Sequence, residues 1–557
     1  MFYSFAAVVA AAFLLAAASL IFFLLIRPLY NPLQLLAGPP TKGIFANHLQ
    51  LVLDPSISPR VHEYYVNKYG RSIRIQGVGP WDVRLLTLDP ISVAHVLKHS
   101  NVYEKPWQSR RLITSLIGCG MLAAEGAVHK RQRRVATPAF SLKNLRALVP
   151  LVFRKGHQLG SKWDEMISSS SSSDHLVVDV CHWISRATFD VIGLAGFDYD
   201  FNAIHHESNE LFSAYKEMFE VAISQGNPIR TIFGIYAPFL SALFPDHAQR
   251  TVKKCQDVIR RVAGHLIQEK KEKIVEGIRS GSHYAGKDLL SLLLKSNMAT
   301  DLPADQRISD TDILHNINTF MFAGSDTSSL SLTWTLLLLA ENPAIQDRLR
   351  AELSSVAPIS GDGSQLSEED IHSLYSAVSD LPLLHNVVRE SIRLIPPVHS
   401  SIRVATQDDE IPVSYPVKDR HGNVLHNKTS ITVPRGSFVH VAVEGFNLDK
   451  SFWGADAWEF VPDRWDHLDE LDTLELPGLF SNTLTFSAGP RSCIGLRFSM
   501  IEIKTFLYIL LTRFKFETTD QKIIRANVVL TRPYVSGRYK EGSQCPLLIT
   551  RVTDTVL

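Results

Sequence analysis

A single cysteine lies in a loop whose other residues are suited to stabilising a negatively charged sulfur. The stretch Phe486–Gly495 reads FSAGPRSCIG and contains Cys493. A free thiol has a pKa of about 8.5, so it acts as an anionic metal ligand only where its surroundings favour the thiolate. Gly489 and Gly495 allow backbone N–H groups to approach the sulfur, and Arg491 supplies a cation for an anionic group. The apolar run that follows predicts a helix whose N-terminal dipole favours the thiolate. A buried structural cysteine is the alternative.

A second candidate for chemistry is a polar cluster inside an apolar helix. Ser309 and Asp312 match a capping box, and the pair Asn342-Pro343 is a stop signal. The spacing predicts a helix of about 30 residues between them, or ~45 Å. Near its middle lies AGSDTSS, from Ala323 to Ser329. Glycine weakens helices and Ser or Thr side chains bond to carbonyls one turn back, so we expect the helix to open here into a groove. The alternative is a helix exposed on one side at this point.

Charged residues form two further patterns in segments with helical periodicity. The stretch His129–Phe140 reads HKRQRRVATPAF and begins with five basic residues among six. In isolation it predicts a solvated helix face or a docking surface for a protein partner. Glu390 and Arg393 lie three residues apart, hence on one face of a helix. In isolation such a pair is a solvated surface contact that contributes little stability.

The elements that must position these residues are mostly helices. The chain has 557 residues, more than the ~250–300 over which one hydrophobic core usually grows. Its net charge of +1 gives no electrostatic reason to expect a nucleic-acid partner. The five cysteines are odd in number and form no C-x-x-C pair, which argues against a disulfide framework and a zinc site. Helical periodicity dominates the chain, and strand signals return only near its end.

Two local patterns mark structure outside these helices. The stretch Ser72–Pro90 alternates apolar residues around a turn at Gly77–Pro80 and predicts a β-hairpin, after which Asp89 caps a helix. The serine run Ser168–Ser173 predicts a flexible surface loop between helices. No internal repeat or second linker interrupts the pattern, so we expect one large, mostly helical body.

The first residues predict a membrane anchor. From Phe5 to Ile26 the only polar side chain is Ser19, and this run is long enough to cross ~30 Å of hydrocarbon as a helix. A cleaved signal peptide is the alternative, but it has a basic n-region and a shorter apolar core of about 7–15 residues. Arg27 follows the run, which places the remaining chain on the cytoplasmic side. We expect residues 1–27 to form a retained transmembrane helix and the Pro-rich residues 28–44 to form a stiff linker.

The loop around Cys493 resembles the haem-binding loop of the cytochrome P450 monooxygenases. The pattern Phe-x-x-Gly-x-Arg-x-Cys-x-Gly is filled at every specified position. The resemblance implies that Cys493 is the proximal thiolate ligand of haem iron, that Phe486 packs beside it and that Arg491 contacts a haem propionate. A thiolate ligand pushes electron density towards the iron and favours O–O cleavage.

Other motifs occur in the order typical of that family. The AGSDTS stretch resembles its oxygen-activating helix, which implies that Thr327 hydrogen-bonds bound dioxygen or the water beside it and that Asp326 belongs to the proton route. The stretch HKRQRR resembles the segment that grips the propionates, with Arg133 in the arginine position and His129 in place of the more frequent Trp. Arg403, six residues after a proline, also fits a propionate contact.

A third pair of motifs implies a structural network. The stretch ESIRLIPP contains Glu390 and Arg393, and the later stretch FVPDRW contains Arg464. The resemblance implies a Glu-Arg-Arg network that supports the loop carrying Cys493. Asp463 stands where the family often has Glu, a departure that leaves Arg464 unaffected.

The resemblance covers nearly the whole chain after the linker, residues 45–557, as one haem-thiolate catalytic domain. It implies a mainly α cytochrome P450 fold with a smaller β region. It also implies haem b as cofactor and the insertion of one oxygen atom from O2 into a lipophilic substrate, such as a terpenoid or another secondary metabolite. The chain has no G-x-G-x-x-G nucleotide motif, so we expect its electrons to come from another protein. The resemblance implies that this partner is a membrane-bound P450 reductase that uses NADPH.

The anchor and motifs together resemble fungal microsomal members of the family. They imply a monomeric catalytic domain on the cytoplasmic side of the endoplasmic reticulum membrane. Two other classes of protein are alternatives. A haem-binding sensor or carrier would keep Cys493 but has no need for Asp326 and Thr327, and a purely structural membrane protein would bind no haem.

Overall fold

Helices dominate the computed structural model of the chain. The structure describes residues 2–41, 43, 47–170, 174–206, 208–224, 246–279, 288–298, 307–356, 366–467 and 480–552. The helices are α1 (Phe2–Ile21), α2 (Leu49–Leu53), α3 (Ser58–Tyr69), α4 (Pro90–Lys98), α5 (Trp107–Ile117), α6 (Gly126–Ala136), α7 (Leu142–Ser168), α8 (Val180–Phe197), α9 (Glu210–Ser224), α10 (His247–Arg279), α11 (Leu289–Met298), α12 (Asp310–Glu341), α13 (Pro343–Ser355), α14 (Glu368–Ser379), α15 (Pro382–Leu394), α16 (Val443–Asn447), α17 (Lys450–Trp453) and α18 (Leu496–Arg513). Part of the serine run, residues 171–173, lies outside the described residues.

The strands are short. They are β1 (Ser72–Gln76), β2 (Val83–Thr87), β3 (Tyr103–Glu104), β4 (His175–Asp179), β5 (Ser401–Ala405), β6 (Asp409–Pro412), β7 (Val417–Lys418), β8 (Val424–Leu425), β9 (Ser430–Val433), β10 (Phe438–Val441), β11 (Phe514–Thr518), β12 (Ile523–Val528), β13 (Leu530–Val535) and β14 (Pro546–Arg551). The prediction that, after the first hairpin, strand signals return only near the end of the chain is wrong for β3–β10. These strands have two to five residues each, too few to establish a clear alternation.

The described chain forms two compact units. The β-rich unit comprises Met1–Pro106, Val398–Trp458 and Leu471–Ser492. Its main sheet has the strand order β1-β2-β10-β5-β3, in which β1 pairs antiparallel with β2 and β10 pairs parallel with β2. The predicted hairpin is therefore confirmed. The Asp89 carboxylate caps α4 by accepting hydrogen bonds from the N–H groups of Ile91 and Ser92 at 3.0 and 3.1 Å.

Part of the predicted linker belongs to this β-rich unit. Leu33, Leu36 and Ala37 are buried, and the Ala37 N–H donates a hydrogen bond to the Lys418 carbonyl at 2.9 Å. Since these apolar side chains lose contact with water by packing into the unit, this part of residues 28–44 is not a free connector.

The helical unit comprises Trp107–Pro397, Glu459–Glu470 and Cys493–Leu557. In it, α12 begins at the predicted capping box of Ser309 and Asp312 and ends before Asn342, which confirms the predicted helix. The prediction that the helix opens near Ala323 is wrong, because α12 is continuous through that stretch. Gly324 instead allows α8 to approach, since a Cβ at this position would lie 2.8 Å from Cδ1 of Ile192.

The N-terminal helix is the candidate membrane span. Within the described residues, one helical stretch, Ala11–Tyr30, is long and apolar enough to cross a membrane. Its 18-residue apolar window buries nothing against the rest of the protein. A signal sequence meets the same criteria of length and composition.

Candidate active site

Cys493 lies three residues before the first turn of α18. Burial is the largest influence on its thiol and raises the pKa, whereas the Gly495 N–H, the Arg133 guanidinium and the Leu496 N–H oppose that shift by favouring the thiolate. All five cysteines of the chain are described, and Cys493 alone is exposed, while the others are buried or half-buried. A sulfur that accepts two backbone N–H groups at the start of a helix has hydrogen-bond donors of the kind that an anionic metal ligand needs.

Two residues predicted separately from Cys493 lie on α6. His129 is buried and Arg133 is half-buried, four residues apart on one face of the helix. Burial lowers the pKa of Arg133, and the nearby Cys493 sulfur acts in the opposite direction. The structure therefore brings Arg133 close to the sulfur within the helical unit.

Arg403 is a buried cation on β5 of the β-rich unit. Its side chain is 7% exposed, and its Nη1 donates hydrogen bonds to Ser401 Oγ at 2.5 Å and to the Ile402 carbonyl at 3.0 Å. Among the described residues no carboxylate forms an ion pair with Arg403. Burial alone lowers its pKa, to about 10. A buried guanidinium without a carboxylate partner fits an anionic ligand group.

The residues before Cys493 form a tight turn in the β-rich unit. Gly489 has φ of +68°, and a Cβ at this position would lie 2.5 Å from the Leu97 carbonyl oxygen. Glycine is therefore required at position 489 because the loop lies against the end of α4, and not because the backbone approaches the sulfur. Phe486 packs edge-on against Phe480, with ring centroids 5.2 Å apart, and Arg491 ends the turn half-buried.

Glu390 is the centre of a fully buried network in the helical unit. Its two carboxylate oxygens accept hydrogen bonds from Arg393 Nε and Nη2, both at 2.8 Å, and from Arg464 Nε at 2.8 Å. The Val461 N–H and the Trp465 indole N–H donate at 3.1 Å each. The structure thus brings Glu390, Arg393 and Arg464 together. The interpretation of Glu390 and Arg393 as a solvated pair, taken in isolation, is wrong.

Asp326 and Thr327 are neighbours on α12 with different surroundings. The Thr327 hydroxyl donates a hydrogen bond to the Ala323 carbonyl at 2.7 Å. The Asp326 carboxylate instead forms an ion pair with Arg532 of β13. None of the sequence motifs pointed to Arg532. The available signal was a charged residue inside LTRPYV, a strand whose other described residues are buried.

The residues present fit a haem with a cysteine thiolate ligand. Cys493 offers a sulfur that accepts two backbone N–H groups near the Arg133 guanidinium, and these three groups oppose the effect of burial on its pKa. In the described residues, His, Cys, Asp and Glu side chains form no group able to hold a metal ion by themselves.

Comparisons with known proteins agree with this geometry. A model of the cytochrome P450 family matches residues 36–535. The chain is 35% identical over 538 residues to cytochrome P450 monooxygenase 128 of Postia placenta, and the match covers 94% of each chain. It is 36% identical over 541 residues to cytochrome P450 monooxygenase 205 of the same fungus, again covering 94% of each. It is 32% identical over 519 residues to the ganoderic acid synthetase CYP5150L8 of Ganoderma lucidum, covering 88% of this chain and 89% of the relative. The match across nearly the whole chain shows that this protein belongs to the cytochrome P450 family of monooxygenases.

Proposed function

We propose that this chain is a membrane-anchored, monomeric enzyme that inserts one oxygen atom of O2 into a lipophilic organic substrate. Electrons come from NADPH through a separate P450 reductase, and the cofactor is haem b. The observation that carries the proposal is the sulfur of Cys493, which accepts hydrogen bonds from the Gly495 and Leu496 N–H groups near Arg133, so that these groups oppose the effect of burial on its pKa.

We assign the contacts with the cofactor to residues of the Cys493 loop and of α6, and to Arg403. Cys493 would supply the thiolate ligand of the iron, and the N–H groups of Gly495 and Leu496 would donate hydrogen bonds to its sulfur. The resemblance to the family supports propionate contacts by Arg133, His129, Arg403 and Arg491, and a packing role for Phe486. When bound, a haem with a thiolate ligand supplies the chemistry that activates dioxygen and oxidises the substrate.

The proton-transfer groups of the proposal are Asp326 and Thr327. Monooxygenation reduces the second oxygen atom of O2 to water, which requires two protons at the reaction site. The Thr327 hydroxyl donates its hydrogen bond to the Ala323 carbonyl, so the lone pairs of its oxygen can accept a hydrogen bond from another group. Asp326, one residue earlier, supplies the carboxylate of the proposed proton route.

The substrate and location are proposed at the level of chemical class. A relative named as a ganoderic acid synthetase supports a substrate from secondary metabolism, such as a terpenoid. The apolar stretch Ala11–Tyr30 supports a single-pass anchor, which we place in the endoplasmic reticulum membrane with the catalytic residues on the cytoplasmic side.

A cysteine substitution tests the cofactor assignment. The full chain with Cys493→Ala is expected to lose the thiolate-type absorption band of the reduced carbon monoxide complex. The matched control Cys255→Ala changes a buried cysteine of α10 and is expected to keep that band. A band that survives in Cys493→Ala contradicts the assignment. Coexpression with a reductase in a metabolite-rich host, followed by mass spectrometry, then identifies products heavier by one oxygen atom.

A further inference from the structure

The ion pair between Asp326 and Arg532 is the least expected feature near the proposed proton-transfer residues. Asp326 Oδ1 lies 3.4 Å from Arg532 Nη1, and a second, shorter contact joins Oδ2 to Nη2. The two side chains are 22% and 13% exposed. The pair joins α12 to β13, two elements that are 206 residues apart in sequence at this contact.

Arg532 is held in place by its neighbours on β13. The Thr531 carbonyl accepts a hydrogen bond from the Trp334 indole N–H of α12 at 2.9 Å, and the Thr531 N–H donates to the Pro397 carbonyl at 2.8 Å. On the other side, the Pro533 carbonyl accepts two more hydrogen bonds. Because the backbone on both sides of Arg532 is bonded, its guanidinium approaches Asp326 from a fixed strand.

The ion pair forms part of the wall of a cavity of about 60 Å³. Polar side chains of His182, Ser185 and Ser325 line the same cavity. A buried water needs about 10–15 Å³ of such volume and two to four polar partners. The cavity therefore has room for several waters, and the polar groups named above can bind water within a lining that is otherwise mostly apolar. Water there has direct access to the carboxylate of Asp326.

Of the ionisable groups that line the cavity, Arg532 is the positively charged group that contacts Asp326. Burial lowers the pKa of His182 to about 4 and raises that of Cys181 to about 12, so both are neutral at pH 7. Lys216 of α9 lines the cavity without an ion pair to Asp326 among the described contacts. Burial is the largest influence on Arg532 and lowers its pKa, but Asp326, Cys181 and Tyr534 together raise the pKa above its usual value, so the guanidinium stays charged.

We propose that Arg532 is a positioning residue that holds the Asp326 carboxylate at the wall of this cavity, where Asp326 takes protons from cavity water for the reaction at Thr327. The inference rests on the proposed monooxygenase function. In each transfer a hydronium ion or buffer acid from the solvent gives a proton to a cavity water, and that water passes one of its protons to Asp326, so that one O–H bond breaks and one forms. Asp326 then gives up the proton towards Thr327 and returns to the carboxylate.

The first experiment measures where electrons go when the full, haem-loaded protein receives NADPH, P450 reductase and O2 without added substrate. Two electrons and two protons convert O2 to hydrogen peroxide, whereas four of each convert it to two waters. The yield of peroxide per NADPH therefore reports on proton delivery. In Arg532→Met this yield is expected to rise at least about twofold. Arg532→Lys, which keeps a cation, is expected to restore most of the wild-type yield.

The same measurement in an Asp326→Asn background separates positioning from a general structural effect. If Arg532 acts through Asp326, adding Arg532→Met to Asp326→Asn leaves the peroxide yield unchanged. The matched control is Arg538→Met, which removes an exposed arginine paired at 4.0 Å with Glu541. The proposal is overturned by a wild-type yield in Arg532→Met, by full additivity with Asp326→Asn, or by a wild-type yield already near one peroxide per NADPH.

A second readout does not depend on turnover. The melting temperatures of the haem-loaded wild type, Arg532→Met, Asp326→Asn and the double variant form a cycle. Non-additive shifts are expected, with the double variant melting close to the less stable single variant, and additive shifts contradict the pairing. A wild-type protein without a thiolate-type carbon monoxide band would instead defeat the proposed function, whatever the Arg532 results.

Discussion

Two carboxyl groups of the helical unit are both fully buried, yet their surroundings are opposite. Glu390 of α15 receives hydrogen bonds from two arginines, an indole N–H and a backbone N–H. Glu502 of α18 has no hydrogen bond of normal geometry among the described residues. Burial raises the pKa of Glu502 to about 8, and the nearby Ser328 hydroxyl only partly opposes that shift.

The difference shows that the donors around a buried carboxyl, rather than burial itself, decide its charge. Removing a carboxylate from water costs several kcal/mol unless donors replace the lost hydration. Around Glu390 two guanidinium groups supply that replacement, so the charges fix one another in place. Around Glu502 nothing comparable is present among the described residues, so the neutral acid is the stable form at pH 7. Neutralising Glu390 should therefore destabilise the protein, whereas replacing Glu502 by a neutral side chain should have little effect at pH 7.

The largest expected effect is that of Glu390→Gln. The substitution keeps the size of the side chain but leaves Arg393 and Arg464 as buried cations without an anion. Breaking a buried ion pair in this way costs about 3–5 kcal/mol in the free energy of unfolding. Denaturant unfolding of the purified protein measures the loss, and haem content should fall with it. A loss below about 1 kcal/mol would mean that the network contributes little to stability.

Glu502→Gln is expected to change the pH dependence of stability. Since the pKa of Glu502 is raised from 4.5 to about 8, its contribution to stability is fully present below pH 4.5 and is lost as the pH rises towards 8. Over that window it makes the free energy of unfolding fall by about 1.4 kcal/mol per pH unit. Glutamine is neutral at every pH, so the variant should lack this slope. Denaturant unfolding between pH 5 and about 8.5 compares the two slopes.

The control for this pH experiment is the exposed residue Glu369 of α14. Glu369→Gln removes a carboxyl in contact with water and is expected to leave the wild-type slope unchanged. Identical slopes in wild type and Glu502→Gln would show that Glu502 is ionised in the folded protein. The contrast between the two buried carboxyls would then be lost.

The sequence predicted the parts of the site that depend on local spacing. The Cys493 loop, the bounds of α12 and the first hairpin follow from turn residues, caps and alternation, all within a few residues of one another. The ion pair of Asp326 with Arg532 and the isolation of Glu502 were not predicted, because each depends on elements that meet only after folding. The resemblance to a family implied the meeting of Glu390, Arg393 and Arg464, whereas their spacing alone favoured a solvated pair.

The smallest expected effect comes from an arginine pair with the same geometry but in contact with water. Arg348 of α13 donates hydrogen bonds to both oxygens of Asp463 at 2.9 and 2.8 Å, much as Arg393 does to Glu390. The side chains of Arg348 and Asp463 are 55% and 46% exposed, so water can solvate the residue that remains when its partner is removed. Arg348→Met should therefore change the free energy of unfolding by less than about 1 kcal/mol, and added salt should reduce the difference further.

This comparison separates hydrogen-bond geometry from solvent exposure. Asp463 directly precedes Arg464, so the exposed pair also tests whether the surface contact helps to position the buried one. Denaturant unfolding and haem content of Arg348→Met and Glu390→Gln, measured side by side, give the answer. If Arg348→Met lost as much stability and haem as Glu390→Gln, the exposed pair would be necessary for holding Arg464, and exposure would not explain the contrast. If Arg348→Met keeps its haem while Glu390→Gln loses it, the loss of stability in Glu390→Gln comes from the two buried arginines that no longer have an anionic partner.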